Sequence, residues 1–236
     1  MIAGQPPITV SERSLQTLRE QIRLVAESKT DDFFDLARIA GLNPLRDFAQ
    51  ANLSDVDLRS AQLSTAELVR TNLKRANLLN ANLTEANLSG ANLTGADLTS
   101  AKLEYANLTT TDLTQTNLTS ATLMGADLRG AVLTTAVLNF AKLSRSTLIS
   151  ARVDRASLRE ANLSHTDLRR ATLAESDLSG ANFYGADLSS ANLSGAILSS
   201  TSFVGATVSQ TQFSRNAGLN EQVRLYLEQR GALFEG

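Results

Sequence analysis

Residues 86–98 read ANLSGANLTGADL, in which Ala, then Asn or Asp, then Leu recur every five residues. If the leucine is taken as the centre of each repeat, the register runs from Phe48 to Phe213 without an insertion, giving 34 consecutive repeats. Leu fills 28 of these centres, and Phe or Val fills the other six. Such an unbroken period predicts that residues 46–215 form one structural unit repeated along the chain.

A period of five fits neither a single α-helix nor a flat β-strand. On a helix, steps of five residues rotate by about 140°, so the leucines would scatter around the axis. On a strand, an odd step places successive leucines on opposite faces. Within one repeat, however, Ala and Leu are two residues apart and point the same way if the triplet is extended. We therefore expect each repeat to be a short extended segment followed by a corner, where Ser, Thr and Gly are favoured.

The repeat resembles the A-(D/N)-L-X-X pattern of pentapeptide repeat proteins, and the resemblance covers residues 46–215. It implies a mainly β fold, a right-handed quadrilateral parallel β-helix with four repeats in each coil. The 34 repeats would then form about eight coils, in a solenoid about 40 Å long at the usual spacing between strands. The stretch DFFDLARIAGLNPLRDF, at residues 32–48, also resembles the helical lead-in of cyanobacterial members.

Residues 1–45 are predicted to form an N-terminal helical cap of two helices, because an open solenoid end exposes an unpaired edge and a core. The first helix is predicted within residues 8–29, with Thr9 and Glu12 as a capping box. Its apolar stripe consists of Leu15, Leu18, Ile22 and Val25.

A second, shorter helix is predicted to begin near Thr30 or Asp31 and to end at Gly41. The dipeptide Asn43-Pro44 signals a further helix start that leads into the first repeat. The side chains expected to cover the first coil are Phe33, Phe34, Leu36, Ile39 and Leu42.

Residues 216–236 are predicted to form a C-terminal helical cap, with Asn220 as N-cap and Gly231 as the stop. Val223, Tyr226 and Leu227 share one face of this helix. Two interpretations of that face remain open. It is either a lid on the last coil or a homodimer contact, as the resemblance implies for gyrase-protecting members, so the protein is expected to be a monomer or a homodimer.

The composition excludes several classes of function. The chain has 22 basic and 24 acidic residues, no cysteine and one histidine, His165. We therefore expect no metal or other cofactor and no catalytic nucleophile–base pair, so the protein is not predicted to be an enzyme. No secretory signal or long apolar stretch is present, which favours a cytoplasmic protein without membrane contact.

Charged residues are expected on the outside of the coils. Residues 20 apart share a column if a coil holds four repeats, and we interpret one such side as a solvated strip of mixed charge. The alternative is a cation site at the Asp167–Asp187 step. The strip consists of Asp47, Glu67, Asp127, Asp167 and Asp187, with Arg70, Arg129, Arg169 and Arg170 on the same side.

Residues 142–170 carry seven basic residues against three acidic ones. Coiling would spread these side chains over all four sides, as a belt that matches a phosphate backbone poorly. No direct contact with nucleic acid is therefore expected. The basic residues are Lys142, Arg145, Arg152, Arg155, Arg159, Arg169 and Arg170.

Some outward positions carry apolar residues, and those between 124 and 149 fall within about one and a half coils. This cluster is the predicted contact with a partner protein. Its members are Met124, Val132, Val137, Phe140 and Ile149, while Tyr105, Tyr184 and Val204 are outward apolar residues beyond it.

The function predicted from these features is that of a non-catalytic structural or interaction protein, a rigid β-helix that presents its outward surface to another protein. The alternative is a DNA-mimicking inhibitor or protector of a topoisomerase, which the resemblance implies for gyrase-protecting members. Mimicry of DNA requires a strongly negative surface. Residues 46–215 contain 15 acidic and 15 basic residues, so this alternative is disfavoured.

Overall fold

The computed structural model describes residues 12–28, 30 and 33–235. The chain divides into two compact units at the bond between Pro44 and Leu45. The described part of the first unit contains two helices, and the second unit contains all of the repeats. No helix among the described residues is long and apolar enough to cross a membrane.

The N-terminal unit contains helices α1 (Glu12–Glu27) and α2 (Phe33–Ile39). After α2 the chain turns at Gly41, whose φ of 75° is in the left-handed region that glycine adopts readily. The N–H of Leu42 then donates to the carbonyl of Ala37 at 2.9 Å, which closes the end of the helix. Both predicted helices are therefore confirmed, and so is the stop at Gly41.

Parts of the N-terminal predictions lie outside the described residues. These parts are the capping box that depends on Thr9, the alternative cap at Asp31 and the side chains of Leu15 and Leu18. Ile22, from the same predicted stripe, is exposed. Cover of the first coil by the aromatic and aliphatic side chains around α2 stays a prediction.

The helix start predicted at Asn43-Pro44 is wrong, because residues 44–50 form consecutive turns. The backbone of this segment already bonds to the coil that follows it. The carbonyl of Leu45 accepts from the N–H of Glu67 at 2.8 Å, and the N–H of Gln50 donates to the carbonyl of Val69 at 2.8 Å. Groups engaged in this way cannot form the i to i−4 bonds of a helix.

The repeats coil with four in each turn. Single residues pair in parallel with residues twenty positions later, from Asn52 with Asn72 to Ile197 with Ala217. Each pairing uses two backbone bonds. For example, the N–H of Leu73 donates to the carbonyl of Asn92 at 2.7 Å, and the N–H of Asn92 donates to the carbonyl of Thr71 at 3.0 Å. The parallel β-helix predicted from the repeat therefore has 20 residues in each coil.

The core contains the central residues and the small residues two positions before them, as predicted. From Phe48 to Phe213 every central side chain is buried. Where Thr or Ser replaces the inward Ala, its hydroxyl donates to a carbonyl, such as Thr111 to Leu88 at 2.9 Å. Such bonds offset the cost of burying a hydroxyl.

The corners have one backbone conformation throughout. Every fifth residue from Gln50 to Arg215 has a positive φ, whether or not it is glycine. A left-handed residue with a side chain costs about 1 kcal/mol or more. Bonds between coils offset this cost, for example from the N–H of Tyr105 to the carbonyl of Met124 at 3.0 Å.

The C-terminal segment packs on the repeats of its own chain. Strand β1 (Gln212–Ser214) pairs in parallel with β2 (Leu233–Glu235), and helix α3 (Glu221–Gln229) connects them. The Asn220 side chain accepts from the N–H of Val223 at 2.8 Å, which confirms the predicted N-cap. Leu227 is fully buried.

Phenylalanine rings continue the core through this end of the chain. The ring of Phe203 lies 5.4 Å from that of Phe183 and 5.8 Å from that of Phe213. The ring of Phe213 in turn stacks on Phe234 of β2 at 5.1 Å. An aromatic column thus joins the last repeats to the C-terminal strand.

Candidate protein-interaction surface

The outward side chains form four faces, because residues twenty apart stack in register. We number the faces by their central residues. The first runs from Leu53 to Phe213, the second from Leu58 to Leu198, the third from Leu63 to Phe203 and the fourth from Phe48 to Val208. On each face the residue before the centre points outward, and the two residues after it form the corner that leads to the next face.

Asn and Asp before the centre hold the following corner in place. The side-chain oxygen of Asn92 accepts from the N–H and the hydroxyl of Thr94, at 2.9 and 2.7 Å. Neighbouring coils are also linked, as when the Asn72 amide donates to the side chain of Asn52 at 2.8 Å. These local bonds give the outer surface a fixed geometry.

In some repeats that lack this Asn or Asp, a residue of the preceding coil supplies an acceptor. Ser157 occupies such a position, and the side-chain oxygen of Asn139 accepts from the hydroxyl of Ser157 and the N–H of Arg159, at 2.7 and 2.9 Å. The repeat that has Val132 at this position receives no replacement acceptor. The buried hydroxyl oxygen of Thr134 therefore has no hydrogen-bond partner among the described residues. The sequence analysis did not predict these replacement acceptors, because Asn139 lies 20 residues before the N–H that it accepts from.

The tripeptide Asp-Leu-Arg forms a bidentate ion pair between its first and third residues. Arg129 donates to Asp127 through Nε at 2.9 Å and Nη2 at 2.6 Å. Burial raises the pKa of the Asp127 carboxyl, but the bonds from the Arg129 side chain and backbone outweigh it and leave that pKa lowered. The side-chain bond from Arg169 likewise lowers the pKa of Asp167.

Arginine side chains therefore pair with aspartates of the mixed-charge strip, which lies on the fourth face. The Arg169 guanidinium lies 2.7 Å from an oxygen of Asp167 and 3.8 Å from one of Asp187, so it occupies the position proposed for a cation. Within residues 12–28, 30 and 33–235 no group of three or more acidic or histidine side chains has metal-binding geometry.

These ion pairs predict a dependence of stability on pH. Because the pKa values of Asp127 and Asp167 are lowered in the folded protein, their contribution is present above the unfolded pKa of about 3.9 and is lost as the pH falls through the folded values. We expect Asp127→Asn with Asp167→Asn to cost about 1 kcal/mol at pH 7, since the arginine of each pair is largely exposed and solvent weakens the attraction. Urea unfolding of both proteins at pH 7 and pH 2 measures this, and an equal difference at both pH values would contradict the assignment.

Side chains at the left-handed corners extend over the corner of the next coil. The ring of Tyr105 lies over Gly125, where an added Cβ would be 2.6 Å from the ring carbon Cε1. The ring of His165 lies over Gly185 in the same way, and an added Cβ there would be 2.8 Å from Nδ1. Glycine at these corners therefore makes room for a ring of the preceding coil.

We expect Gly125→Ala to destabilise the protein by about 2 kcal/mol, because a Cβ at this positive φ is strained and also collides with the Tyr105 ring. Gly130→Ala is the matched control, since its φ is similar but its nearest neighbour is Thr110 Cγ2 at 3.7 Å. Adding Tyr105→Ser to Gly125→Ala should reduce the loss to that of the control. Chemical unfolding of the unchanged protein, Gly125→Ala, Tyr105→Ser, their combination and Gly130→Ala measures the coupling. Additive effects of Gly125→Ala and Tyr105→Ser would show that the ring moves aside without a free-energy cost.

The most exposed apolar side chains of the solenoid include several on the third face. Tyr105, Tyr184 and Val204 are 63%, 51% and 61% exposed and share the corner columns of this face. Met124 belongs to the same columns and is also exposed. The His165 ring packs edge-on against Tyr184, at 5.3 Å between centroids.

A family model described as pentapeptide repeats matches the chain in eight copies, over residues 47–78, 76–115, 112–148, 151–189 and 181–215. The chain belongs to the pentapeptide repeat family. Members of this family are right-handed β-helices, which confirms the handedness that the resemblance implied. None of the curated proteins compared with the chain matches it.

Solved structures of pentapeptide repeat proteins are similar to this chain. A trypsin-treated variant of QnrB1, a plasmid-mediated fluoroquinolone resistance protein, is 17% identical over 81% of this chain and 90% of its own, with a TM-score of 0.65. HetL, involved in heterocyst differentiation regulation in the cyanobacterium Nostoc sp. strain PCC 7120, is 35% identical over 69% of this chain and 81% of its own, with a TM-score of 0.37.

In this pentapeptide repeat chain the five predicted contact residues do not form one patch. Met124 lies on the third face, Val132 on the first, Val137 and Phe140 on the second, and Ile149 on the fourth. Phe140 is exposed, and it forms the corner that leads into the third face. The sequence grouped these residues by distance along the chain, whereas the coil distributes them around it.

The basic residues between 142 and 170 are likewise spread over the faces of the repeats. Arg155 pairs with Glu175 at 2.8 Å, and Arg169 pairs with Asp167. The side chains with no ion-pair partner among the described residues are those of Lys142, Arg145, Arg152 and Arg170. The first two lie on the third face.

The three residues singled out on α3 have different environments. Leu227 is buried against its own chain, whereas Tyr226 is partly exposed. Val223 and Tyr226 line a groove of about 420 Å³ with residues 201–204 of the third face. The Arg230 guanidinium lies 5.3 Å from the centroid of the Tyr226 ring.

Proposed function

We propose that this protein is a non-catalytic scaffold whose β-helix, of about eight coils, presents a fixed outer surface to a partner protein. The observation that carries the proposal is the set of large apolar side chains held outward at left-handed corners. Tyr105 and Phe140 are 63% and 52% exposed while their backbone is bonded into the coils. Exposed apolar side chains on a rigid support favour protein recognition.

We also propose that residues 216–236 close the C-terminal end of the solenoid. For the C-terminal end, support comes from the burial of Leu227, the stacking of Phe234 on Phe213 and the parallel pairing of β2 with β1. These contacts are made within one chain, so they favour a lid over a homodimer contact for the buried side of α3. Its exposed side remains free for a partner.

Site-specific photo-cross-linking tests the scaffold proposal. A photoreactive amino acid is placed at one exposed position on each face, namely Gln115, Ser120, Tyr184 or Ser150. Irradiation of cells that express each variant is expected to give an adduct with another protein from at least one face. Adducts with a second copy of the chain would indicate a homodimer. The absence of any protein adduct from all four faces, relative to unirradiated samples, would refute the proposal.

The second candidate function is the DNA-mimicking topoisomerase protector. Its only structural support is the similarity in fold to QnrB1. The repeats carry equal numbers of acidic and basic residues, and several acids are held by arginines, such as Asp57 by Arg59. Because a groove for DNA attracts uncompensated negative charge, we expect no effect of the protein at micromolar concentration on supercoiling by DNA gyrase. Inhibition or protection in that assay would reverse the ranking of the two functions.

A further inference from the structure

One stretch of the third face combines exposed apolar side chains with unpaired positive charge. We name it the tyrosine face. Its exposed apolar side chains are Met124, Tyr184 and Val204, which are 40%, 51% and 61% exposed. It consists of residues 122–125, 142–145, 162–165, 182–185 and 202–205.

The tyrosine face contains no acidic residue. Lys142 and Arg145 are exposed, and neither has an ion-pair partner among the described residues. By contrast, Arg59 and Arg129, on the second and fourth faces, are held by aspartates of their own repeats. The charges of Lys142 and Arg145 on the tyrosine face are therefore unpaired among the described residues, whereas those of Arg59 and Arg129 are paired with aspartates.

Acidic groups lie at the borders of the tyrosine face. On the preceding coil a carboxylate oxygen of Glu104 accepts from the hydroxyl of Thr122 at 2.8 Å, and beyond Gly125 Asp127 is paired with Arg129. Glu160 is at the corner before the face, and its Cγ lies over Gly180 of the next coil. Asp167 and Asp187 follow the opposite corner, where Arg169 contacts both. The border acids therefore leave Lys142 and Arg145 unpaired.

An apolar groove extends this surface toward the C-terminal end. It has a volume of about 420 Å³ and is lined by residues 201–204, Gln222, Val223 and Tyr226. Arg230 stacks on Tyr226 at 5.3 Å, so the groove also ends beside a cation. The combined surface has apolar contacts at its centre and positive charge on both sides along the solenoid.

We infer that the tyrosine face docks an acidic segment of a partner protein, whose apolar side chains contact Tyr184 and Val204 and enter the groove beside α3. The inference rests on the proposed scaffold function. Complementary charge selects and orients a partner, while aromatic residues in an interface supply most of the binding energy. Single-stranded nucleic acid is also attracted by cations and aromatic rings. Two unpaired cations on the face offer it few phosphate contacts, so an acidic peptide fits better.

The test uses the full chain and three fluorescent probes in binding titrations by anisotropy. The probes are a short peptide of alternating glutamate and leucine, its lysine–leucine counterpart and a short oligothymidylate. The acidic peptide is expected to bind at least tenfold more tightly than either other probe, and its affinity should fall as salt is added. Tighter binding of the oligothymidylate would overturn the inference in favour of a nucleic-acid surface.

Charge reversal locates the binding surface. Lys142→Glu with Arg145→Glu is expected to weaken binding of the acidic peptide at least tenfold. The matched control is Arg152→Glu with Arg170→Glu, which makes the same change at exposed, unpaired arginines of the first face and the fourth-face corner. Tyr184→Ser should weaken binding without changing its salt dependence. Equal effects of the two charge reversals would overturn the inference.

The outcomes separate this inference from the scaffold proposal. Protein adducts from other faces, together with no binding of the acidic peptide, would refute the docking surface and leave the scaffold function intact. The absence of protein adducts from every face would refute the scaffold function, whatever the peptide titrations give.

Discussion

Deletion of residues 131–150 is expected to leave a folded solenoid, whereas deletion of Thr135 alone is expected to cost about 5 kcal/mol or more. The longer deletion joins Gly130 to Ala151, which occupies the same position in the repeat as Ala131, and removes one complete coil. Every remaining residue keeps its column. The shorter deletion shifts the following residues by one position, which turns inward side chains outward.

The measurement compares guanidinium unfolding of the two deletion variants with that of the full chain. The coil deletion should show a single cooperative transition and a circular dichroism spectrum of unchanged shape. The single deletion should unfold at a much lower denaturant concentration. If the coil deletion were the less stable of the two, the coil of 20 residues would not be the unit that determines stability.

Phe203→Ala is expected to destabilise the protein by about 3–5 kcal/mol, as for other buried aromatic residues. The side chain is 3% exposed and contacts the rings of Phe183 and Phe213, so its loss leaves a cavity in the middle of the aromatic column. Phe203→Leu should cost less than about 1.5 kcal/mol, because leucine fills most other centres of the repeats.

Phe140→Ala is the control on the surface. Its ring is 52% exposed, and we expect a change within about 0.5 kcal/mol. Chemical unfolding of the three variants provides the comparison. Similar losses for Phe203→Ala and Phe140→Ala would show that the aromatic column contributes no more than a surface ring.

The fold was predictable because its information lies in strictly periodic positions. The spacing of Ala and Leu predicted which side chains point inward, and the structure buries every central one from Phe48 to Phe213. Asn220 and Gly231 similarly marked the ends of α3 through local hydrogen bonding. The Asn43-Pro44 signal failed because bonds to the next coil competed with the local helix.

The candidate surface was less predictable, because its members are distant in sequence. Tyr184 and Arg145 are almost two coils apart along the chain, yet both lie on the third face. Grouping Met124 with Val132 and Ile149 by their separation placed three different faces in one cluster. Corner rings also depend on the residue beneath them, as Tyr105 depends on Gly125.

Periodicity in the chain was sufficient to establish coiling, the inward and outward positions and the corners, because burial of leucine and alanine requires the same alternation in every repeat. The three-dimensional coil established which outward residues are neighbours, which arginines are neutralised and which remain available. These surface features depend on contacts between residues 20 apart and on side-chain geometry. For example, Arg169 contacts both Asp167 and Asp187, whereas Arg145 is unpaired among the described residues. Packing within each repeat thus determines the scaffold, and packing between coils determines which side chains are neighbours on its surface.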